Sequence, residues 1–361
     1  MYLPARLQSE TAKHLETDLD TRRSFRTGVF SAASRAALGT FVAAAAVGSA
    51  WAQSSVGIYG IIDQGVVKAN GGTTPGAMLP GRGASPDVWT VKAGNTSRLG
   101  FRGQEDLGDG AYSRFQIEHR FAVDTGASSN ANIFWLGRSV VAVGSKTLGE
   151  VYAGREYSAA YAVALNADPT YWSYVSQTGS AYTYANYTPV ATTVEASNIR
   201  WANTVGYKTP AWGGFSAELA TALGEGTRKR ATSGNAQFKQ GALWLGFGFD
   251  RLDSATNLAL VAAGYDFGVV YPKASYSRAE GGLNGDATSF TVSALVPFSV
   301  GRAFVSYGSL RPANHRDSKM VGAGAQYDLS KRTLLYANLG SAKQDQFTRT
   351  TAFDLGIKHT F

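Results

Sequence analysis

The sequence contains no cysteine, only 10 prolines and few charged residues, which make up 17% of its 361 residues. Without cysteine it can form neither a disulfide scaffold nor a thiolate metal site, and it has no cysteine nucleophile. After residue 52 it also lacks an apolar run of about 20 residues, the length that a transmembrane helix needs. Glycine, with 42 residues, and aromatic residues, with 12%, are abundant. Disordered, collagen-like and helical membrane proteins are thereby excluded, and glycine-rich β-structure remains.

The first part of the chain differs in character from the rest. Several arginines precede a short apolar run, which ends shortly before Ala50-Trp51-Ala52. A basic segment, an apolar core and an A-x-A site together are typical of a secretory signal peptide, with a buried N-terminal helix as the alternative. We predict cleavage between Ala52 and Gln53, which makes 1–52 a signal peptide and 53–361 the mature domain. The polar N-terminal stretch exceeds what such a signal needs, so a start codon further downstream is the other possibility.

From Gln53 onward, runs of about ten residues alternate in polarity. The last run shows this most clearly, because Phe353, Leu355 and Ile357 share one parity while Asp354 and Lys358 share the other. Side chains two positions apart lie on the same face of a β-strand. Sixteen such runs can be counted between 54–68 and 349–361; the fourth spans 132–145, and the eighth (230–239) and ninth (241–252) alternate least clearly. The sequence therefore predicts sixteen strands, each with one apolar and one polar face.

Strands with two different faces form either a soluble sandwich or a membrane barrel. Sixteen strands with small or polar inner residues cannot fill their own interior with an apolar core. A closed barrel satisfies every backbone group in lipid and encloses water. The connections are alternately short and long, as in outer-membrane barrels. We predict an all-β fold, a 16-stranded antiparallel transmembrane β-barrel in the cell outer membrane, with a secreted β-rich adhesin as the less favoured alternative.

Several segments of the mature chain resemble a known family, the general trimeric porins of Gram-negative outer membranes, and most closely the β-proteobacterial type. The resemblance extends through the whole mature chain. Thr360 departs from the family pattern, where a basic residue is common, and Glu156 stands where glutamine is usual. The segments that carry the resemblance most clearly are Ser55–Asp63, Ser97–Gly103, Leu148–Arg155, Tyr327–Thr333 and the terminal Phe361.

The resemblance implies a homotrimer in the lipid bilayer and lipopolysaccharide of the outer membrane. Each monomer would carry a water-filled pore for small hydrophilic solutes and ions, narrowed by a third loop that folds inward. That loop corresponds to 158–196 and contains only two acids, Asp168 and Glu195. The resemblance also implies that Phe361 belongs to a C-terminal signal read by the barrel-insertion machinery.

On the barrel wall opposite this loop, the resemblance places Arg98, Arg155 and Arg200. Residue parity independently places Arg98 and Arg102 inside, because Leu99 takes the apolar face. For Arg155, strict alternation points toward lipid, where an arginine at mid-depth costs about 2–4 kcal/mol, unless a bulge at Gly154 turns it inward. Such a cluster of cations opposite an acid-poor loop favours anions. The predicted constriction comprises Arg98, Arg102, Arg155, Arg200 and Asp168.

Two interpretations remain open for the aromatic residues of the third loop. They either pin the loop to the wall or form a stacking track for sugars or aromatic solutes, as in a substrate-specific channel. For each inward arginine the alternative to a role in selectivity is an inner-wall salt bridge, for example with Glu118.

Catalysis and nucleic-acid binding have little support in the sequence. Of the four histidines, His119 and His359 share the lipid-facing parity, so a Ser/His/Asp site would depend on His315 alone. The basic run Arg228-Lys229-Arg230 is typical of a solvated loop rather than a nucleic-acid surface. We therefore expect no enzyme activity, no cofactor, no metal site and no nucleic-acid partner.

Overall fold

A computed structural model describes residues 55–72, 87–185, 187, 199–226, 229–281 and 285–361. The predicted signal peptide and its cleavage site, Ala52 and Gln53, lie outside these residues, as does Glu195. Within the part described, no helix is long and apolar enough to span a membrane.

Antiparallel strands make up most of the described chain. Apart from the short β2 and the start of β5, their boundaries lie within about three residues of the predicted polarity runs, including the eighth and ninth runs. The strands are β1 (Ser55–Ala69), β2 (Trp89–Lys92), β3 (Ser97–Gly108), β4 (Ala111–Phe121), β5 (Ser139–Ser145), β6 (Gly149–Tyr157), β7 (Arg200–Lys208), β8 (Phe215–Ala222), β9 (Ala231–Gln240), β10 (Leu243–Arg251), β11 (Asn257–Tyr265), β12 (Tyr271–Glu280), β13 (Ala287–Phe298), β14 (Gly301–Pro312), β15 (Ser318–Asp328), β16 (Thr333–Gln344) and β17 (Thr350–Thr360).

The strands close into a barrel. From β3 to β17 each strand pairs with the next one in sequence, and β17 pairs with β1. The short strand β2, which the sequence did not predict, pairs with the C-terminal part of β1, while β3 pairs with its N-terminal part. Because β2 and β3 together occupy one position beside β1, the 17 strands form a barrel of 16 positions. The predicted 16-stranded antiparallel barrel is confirmed.

The apolar face of the barrel points outward. On β5, Val141 and Val143 are 57% and 55% exposed, whereas Val140 and Ala142 are 4% and 2% exposed. This alternation continues on neighbouring strands and leaves a belt of exposed valine, leucine and phenylalanine. Such a surface is the reverse of a soluble protein's and matches a lipid-facing wall.

The connection between β4 and β5 differs from the sequence prediction, which extended a strand over 132–145. The strand begins only at Ser139, and the preceding segment is irregular. Phe134 stacks on the His119 ring at a centroid distance of 4.2 Å, and Trp135 meets the edge of Phe101 at 6.4 Å. The apolar residues of this segment therefore pack on aromatic side chains of β3 and β4 instead of extending β5.

The third loop folds against the inner wall, as predicted. It contains helix α1 (Ala159–Ala167), which contacts β9, β10 and β11, and a π-helical turn (Gly179–Thr183), which contacts β12, β13 and β14. The alanines of α1 allow this close approach, and Ala160 and Ala164 are fully buried. The helix is therefore packed inside the barrel rather than exposed at its rim.

Two wall glycines mark where the extended part of the loop touches the barrel. A Cβ at Gly322 would lie 2.1 Å from the carbonyl oxygen of Ser176, and one at Gly340 would lie 2.1 Å from that of Val175. Only a residue without a side chain permits backbone to approach a strand so closely. The loop thus crosses the lumen and reaches the strands near the C-terminus.

Candidate functional site

Several arginines of the inner wall converge on Tyr157, the last residue of β6. Its hydroxyl accepts hydrogen bonds from Arg120 at 2.9 Å and from Arg200 at 3.2 Å. The guanidinium groups of Arg200 and Arg138 lie 4.9 and 5.5 Å from the centre of the Tyr157 ring. Tyr161 of α1 stacks on the same ring at a centroid distance of 4.8 Å. The ring therefore holds three arginines beside the point where the chain leaves the wall and enters the third loop.

Carboxylates neutralise part of this positive charge. Arg120 donates to Glu118 at 2.7 Å and Arg138 donates to Glu156 at 2.7 Å. Glu118 and Glu156 are 4% and 1% exposed, so these pairs belong to the wall itself. For Arg120 and Arg138, the inner-wall salt bridge that the sequence left open is what the structure contains.

Arg98 and Arg200 have a different environment. Arg98 donates to the Asn95 side chain at 2.6 Å and to the Thr96 carbonyl at 3.3 Å, both neutral oxygens. Its charge interacts with those of Arg120, Glu118 and Arg200, so the fold brings Arg98 and Arg200 into one group. Both side chains remain partly exposed.

Arg102 lies on the same strand face as Arg98. Its guanidinium is 5.4 Å from the centre of the Tyr59 ring, and its side chain is exposed. The hydroxyl of Tyr59 donates in turn to Glu118 at 3.2 Å. Arg102 therefore continues the row of cations along β3.

Arg155 stands apart from this group. The expected irregularity near Gly154 exists, but the additional residue lies on β7, opposite the step from Gly154 to Glu156. β6 keeps an unbroken register with β5, in which Arg155 pairs with Ser139. The Nε of Arg155 donates to the Leu136 carbonyl at 3.2 Å, and the residue is 7% exposed. The predicted bulge is therefore absent from β6 as the structure describes it. The guanidinium of Arg155 is instead kept from lipid by the connection between β4 and β5.

Asp168, the predicted acid of the constriction, is fully buried. Its Oδ1 accepts from the Thr170 amide at 2.7 Å, and its Oδ2 accepts from the amides of Thr178 and Gly179, both at 2.7 Å. These bonds join the segment after α1 to the start of the π-helical turn. Asp168 therefore holds the third loop in shape instead of presenting a negative charge to the lumen.

Two carboxylates of the barrel wall also anchor the loop, a role that was not predicted from the sequence. Asp354 is 1% exposed and accepts from the Val175 amide at 2.8 Å. Asp250, also 1% exposed, accepts from the hydroxyls of Ser158 and Tyr184. Their inward parity in the strand pattern was the available signal, because a buried carboxylate needs a hydrogen-bond donor. These two carboxylates are thus buried in contacts with the loop, while Arg98 and Arg200 stay partly exposed.

Most aromatic side chains of the third loop are buried. Tyr174, Tyr182 and Tyr184 are 4%, 1% and 0% exposed. Tyr182 shares a hydrogen bond with Ser318 on the wall at 2.7 Å, and burial raises the pKa of both Tyr182 and Tyr184, so both phenols stay neutral. These residues pin the loop to the barrel, and buried rings offer no surface on which a solute could stack.

Comparisons with known proteins agree with this geometry. The sequence profile of the family described as Gram-negative porin matches residues 39–346. An outer membrane porin of Bordetella pertussis is 27% identical, over 87% of this chain and 96% of its own length. Outer membrane porin protein 32 of Delftia acidovorans is 32% identical, over 83% of this chain and 87% of its own length. Among solved structures, an anion-selective porin from Comamonas acidovorans has a TM-score of 0.71 and 24% identity, over 86% of this chain and all of that one.

Proposed function

Because the chain belongs to the Gram-negative porin family, we propose that its pore conducts small hydrophilic solutes and ions with a preference for anions. As a porin it is a multi-pass β-barrel of the outer membrane and acts by passive diffusion, so we propose no catalytic step. One observation carries the anion preference: the cations Arg98 and Arg200 are partly exposed, whereas the carboxylates of Asp168 in the loop and Asp354 on the wall facing it are buried.

The physical basis is the electrostatic field of a narrow, water-filled passage. Fixed charges along a cleft with low-dielectric walls raise the local concentration of counter-ions and lower that of co-ions. Buried carboxylates that accept amide hydrogen bonds contribute less to this field than partly exposed guanidinium groups. The description of the Comamonas relative as anion-selective supports the same assignment.

We propose that Arg98, Arg102 and Arg200 form the charged side of the constriction, beside the Arg120–Glu118 and Arg138–Glu156 pairs. Arg155 and Asp168 then have structural roles. Arg155 binds the β4–β5 connection, and Asp168 stabilises the third loop from within.

Channel formation is tested with the purified protein in a planar lipid bilayer. We expect stepwise openings with a linear current–voltage relation, because a lumen lined by fixed polar groups conducts as a water-filled hole. Well-folded protein that produces no openings would remove the proposed function. The substrate-specific alternative predicts instead that the current is blocked, with saturation, by one class of solute.

We also propose a homotrimer and a cleaved leader. Mature protein from the outer membrane is expected to begin at Gln53, because the A-x-A site directly precedes β1. Intact-mass measurement on the membrane-extracted protein tests this, and retention of the residues before Ala52 would contradict it. Chemical cross-linking of the same preparation should give a trimer as the largest product.

A further inference from the structure

The chain that pairs with β1 contains a bulge between β2 and β3. Ile61 of β1 pairs with Arg98, and Gly65 of β1 pairs with Lys92. Between these pairs, three residues of β1 (62–64) face five residues (93–97) of the neighbouring chain. Two residues of the neighbouring chain are therefore extra, and we call the segment 93–97 the wall bulge.

The wall bulge receives the tip of the third loop. The Gly94 amide donates to Asp63 at 2.8 Å, which fixes the bulge to β1, and the Gly94 carbonyl accepts from the Tyr174 amide at 2.8 Å. A Cβ at Gly94 would lie 2.5 Å from Cδ1 of Tyr174. The absence of a side chain at this position therefore lets the loop tip rest directly on the bulge.

Asn95 of the wall bulge joins the loop tip to the pore arginine. Its Nδ2 donates to the Ser173 hydroxyl at 2.7 Å, and its Oδ1 accepts from Arg98 at 2.6 Å. A side-chain amide has a donor end and an acceptor end, so using both ends fixes its orientation. Arg98 in turn gains a fixed hydrogen-bond partner, which restricts the rotamers of a long and flexible side chain.

We propose that Asn95 is a positioning residue for ion selectivity. It holds the Arg98 guanidinium at a defined place in the lumen. Through its hydrogen bond with Ser173, it also couples that place to the position of the loop tip. The inference rests on the proposed anion preference, because it concerns how one of the proposed selectivity charges is oriented. Asn95 carries no charge, so it can influence selectivity only through the position of Arg98 or of the loop.

The test compares Asn95→Ala and Ser173→Ala with the unmodified protein in planar bilayers. Asn95→Ala is expected to lower the anion-to-cation permeability ratio by about two- to fivefold, since the charge of Arg98 is displaced but kept. Ser173→Ala removes only the loop end of the link and should produce a smaller change in the same direction. Ser173→Thr retains the hydroxyl and serves as the matched control, with a ratio like that of the unmodified protein.

The combination with Arg98→Ser separates positioning from a general structural effect. If Asn95 acts through Arg98, Asn95→Ala should change the permeability ratio no further once Arg98 is serine, because coupled residues are non-additive. An undiminished effect of Asn95→Ala in that background would overturn the inference. So would a permeability ratio that Asn95→Ala alone leaves unchanged. Should Asn95→Ala fail to assemble, the comparison of Ser173→Ala with Ser173→Thr, each with and without Arg98→Ser, decides by the same criterion. A cation preference in the unmodified protein would instead overturn the proposed function.

Discussion

Replacing both Arg98 and Arg200 with serine is expected to shift the zero-current potential of the pore toward cation preference. A unit charge about 5 Å from a passing ion contributes about 0.8 kcal/mol in water and about 3 kcal/mol at an effective dielectric constant of about 20. Since about 1.4 kcal/mol corresponds to a tenfold change, losing two such charges should lower the anion-to-cation permeability ratio at least about tenfold. Conductance should be kept or raised, because side-chain volume is removed from the passage.

The control for this double variant is Arg332→Ser, which removes one positive charge from the exposed turn between β15 and β16. Its permeability ratio should stay near that of the unmodified protein at moderate salt, because charges beyond a Debye length of about 10 Å are screened. If the double variant keeps its anion preference, Arg98 and Arg200 are not the selectivity charges, while the barrel assignment stands.

Replacing Phe361 with aspartate is expected to abolish assembled protein in the outer membrane. The backbone of Phe361 already forms two hydrogen bonds with Gly60, at 3.0 and 3.1 Å, and its ring is 38% exposed on the outer face. A carboxylate near the membrane interface costs at most about 1 kcal/mol, which is small beside a typical stability of about 5–15 kcal/mol. We therefore propose that the expected loss comes from failed recognition by the insertion machinery rather than from instability of the barrel.

Two measurements distinguish recognition from stability. Phe361→Asp protein refolded in detergent should reach the same heat-resistant β-form as the unmodified chain, although cells expressing it contain none in the outer membrane. Phe361→Tyr keeps an aromatic ring and should assemble normally in cells. Normal surface yield of the aspartate variant would show that Phe361 carries no assembly signal.

The strand pattern was predictable because lipid outside and water inside impose opposite demands on alternate residues. That demand holds along β17, where Phe353 and Leu355 face outward and Asp354 is buried behind them. The short strand β2 was not predictable in this way. Its register is set by the wall bulge, and the bulge depends on Asp63 and on a loop tip distant in sequence.

Residue parity accounts for the wall face of Arg98 and Arg102, but not for the environment of Arg155 or of the acids. Parity puts Arg98 and Arg102 on one wall face, because each strand position has only two directions. Parity could not show that the carboxylate of Asp168 would accept hydrogen bonds from amides of its own loop, since that depends on how the loop folds. Nor could it show that an irregularity in β7 would leave Arg155 beside Leu136.

The most direct test of the account is the zero-current potential of the unmodified, purified protein in a planar bilayer with a potassium chloride gradient. The two ions have nearly equal mobility in water, so the sign of the potential reports the pore's own preference. Partly exposed arginines opposite buried carboxylates predict the sign that corresponds to chloride passing more easily than potassium, and a preference that weakens as the salt concentration rises. A potential of the opposite sign would contradict the account.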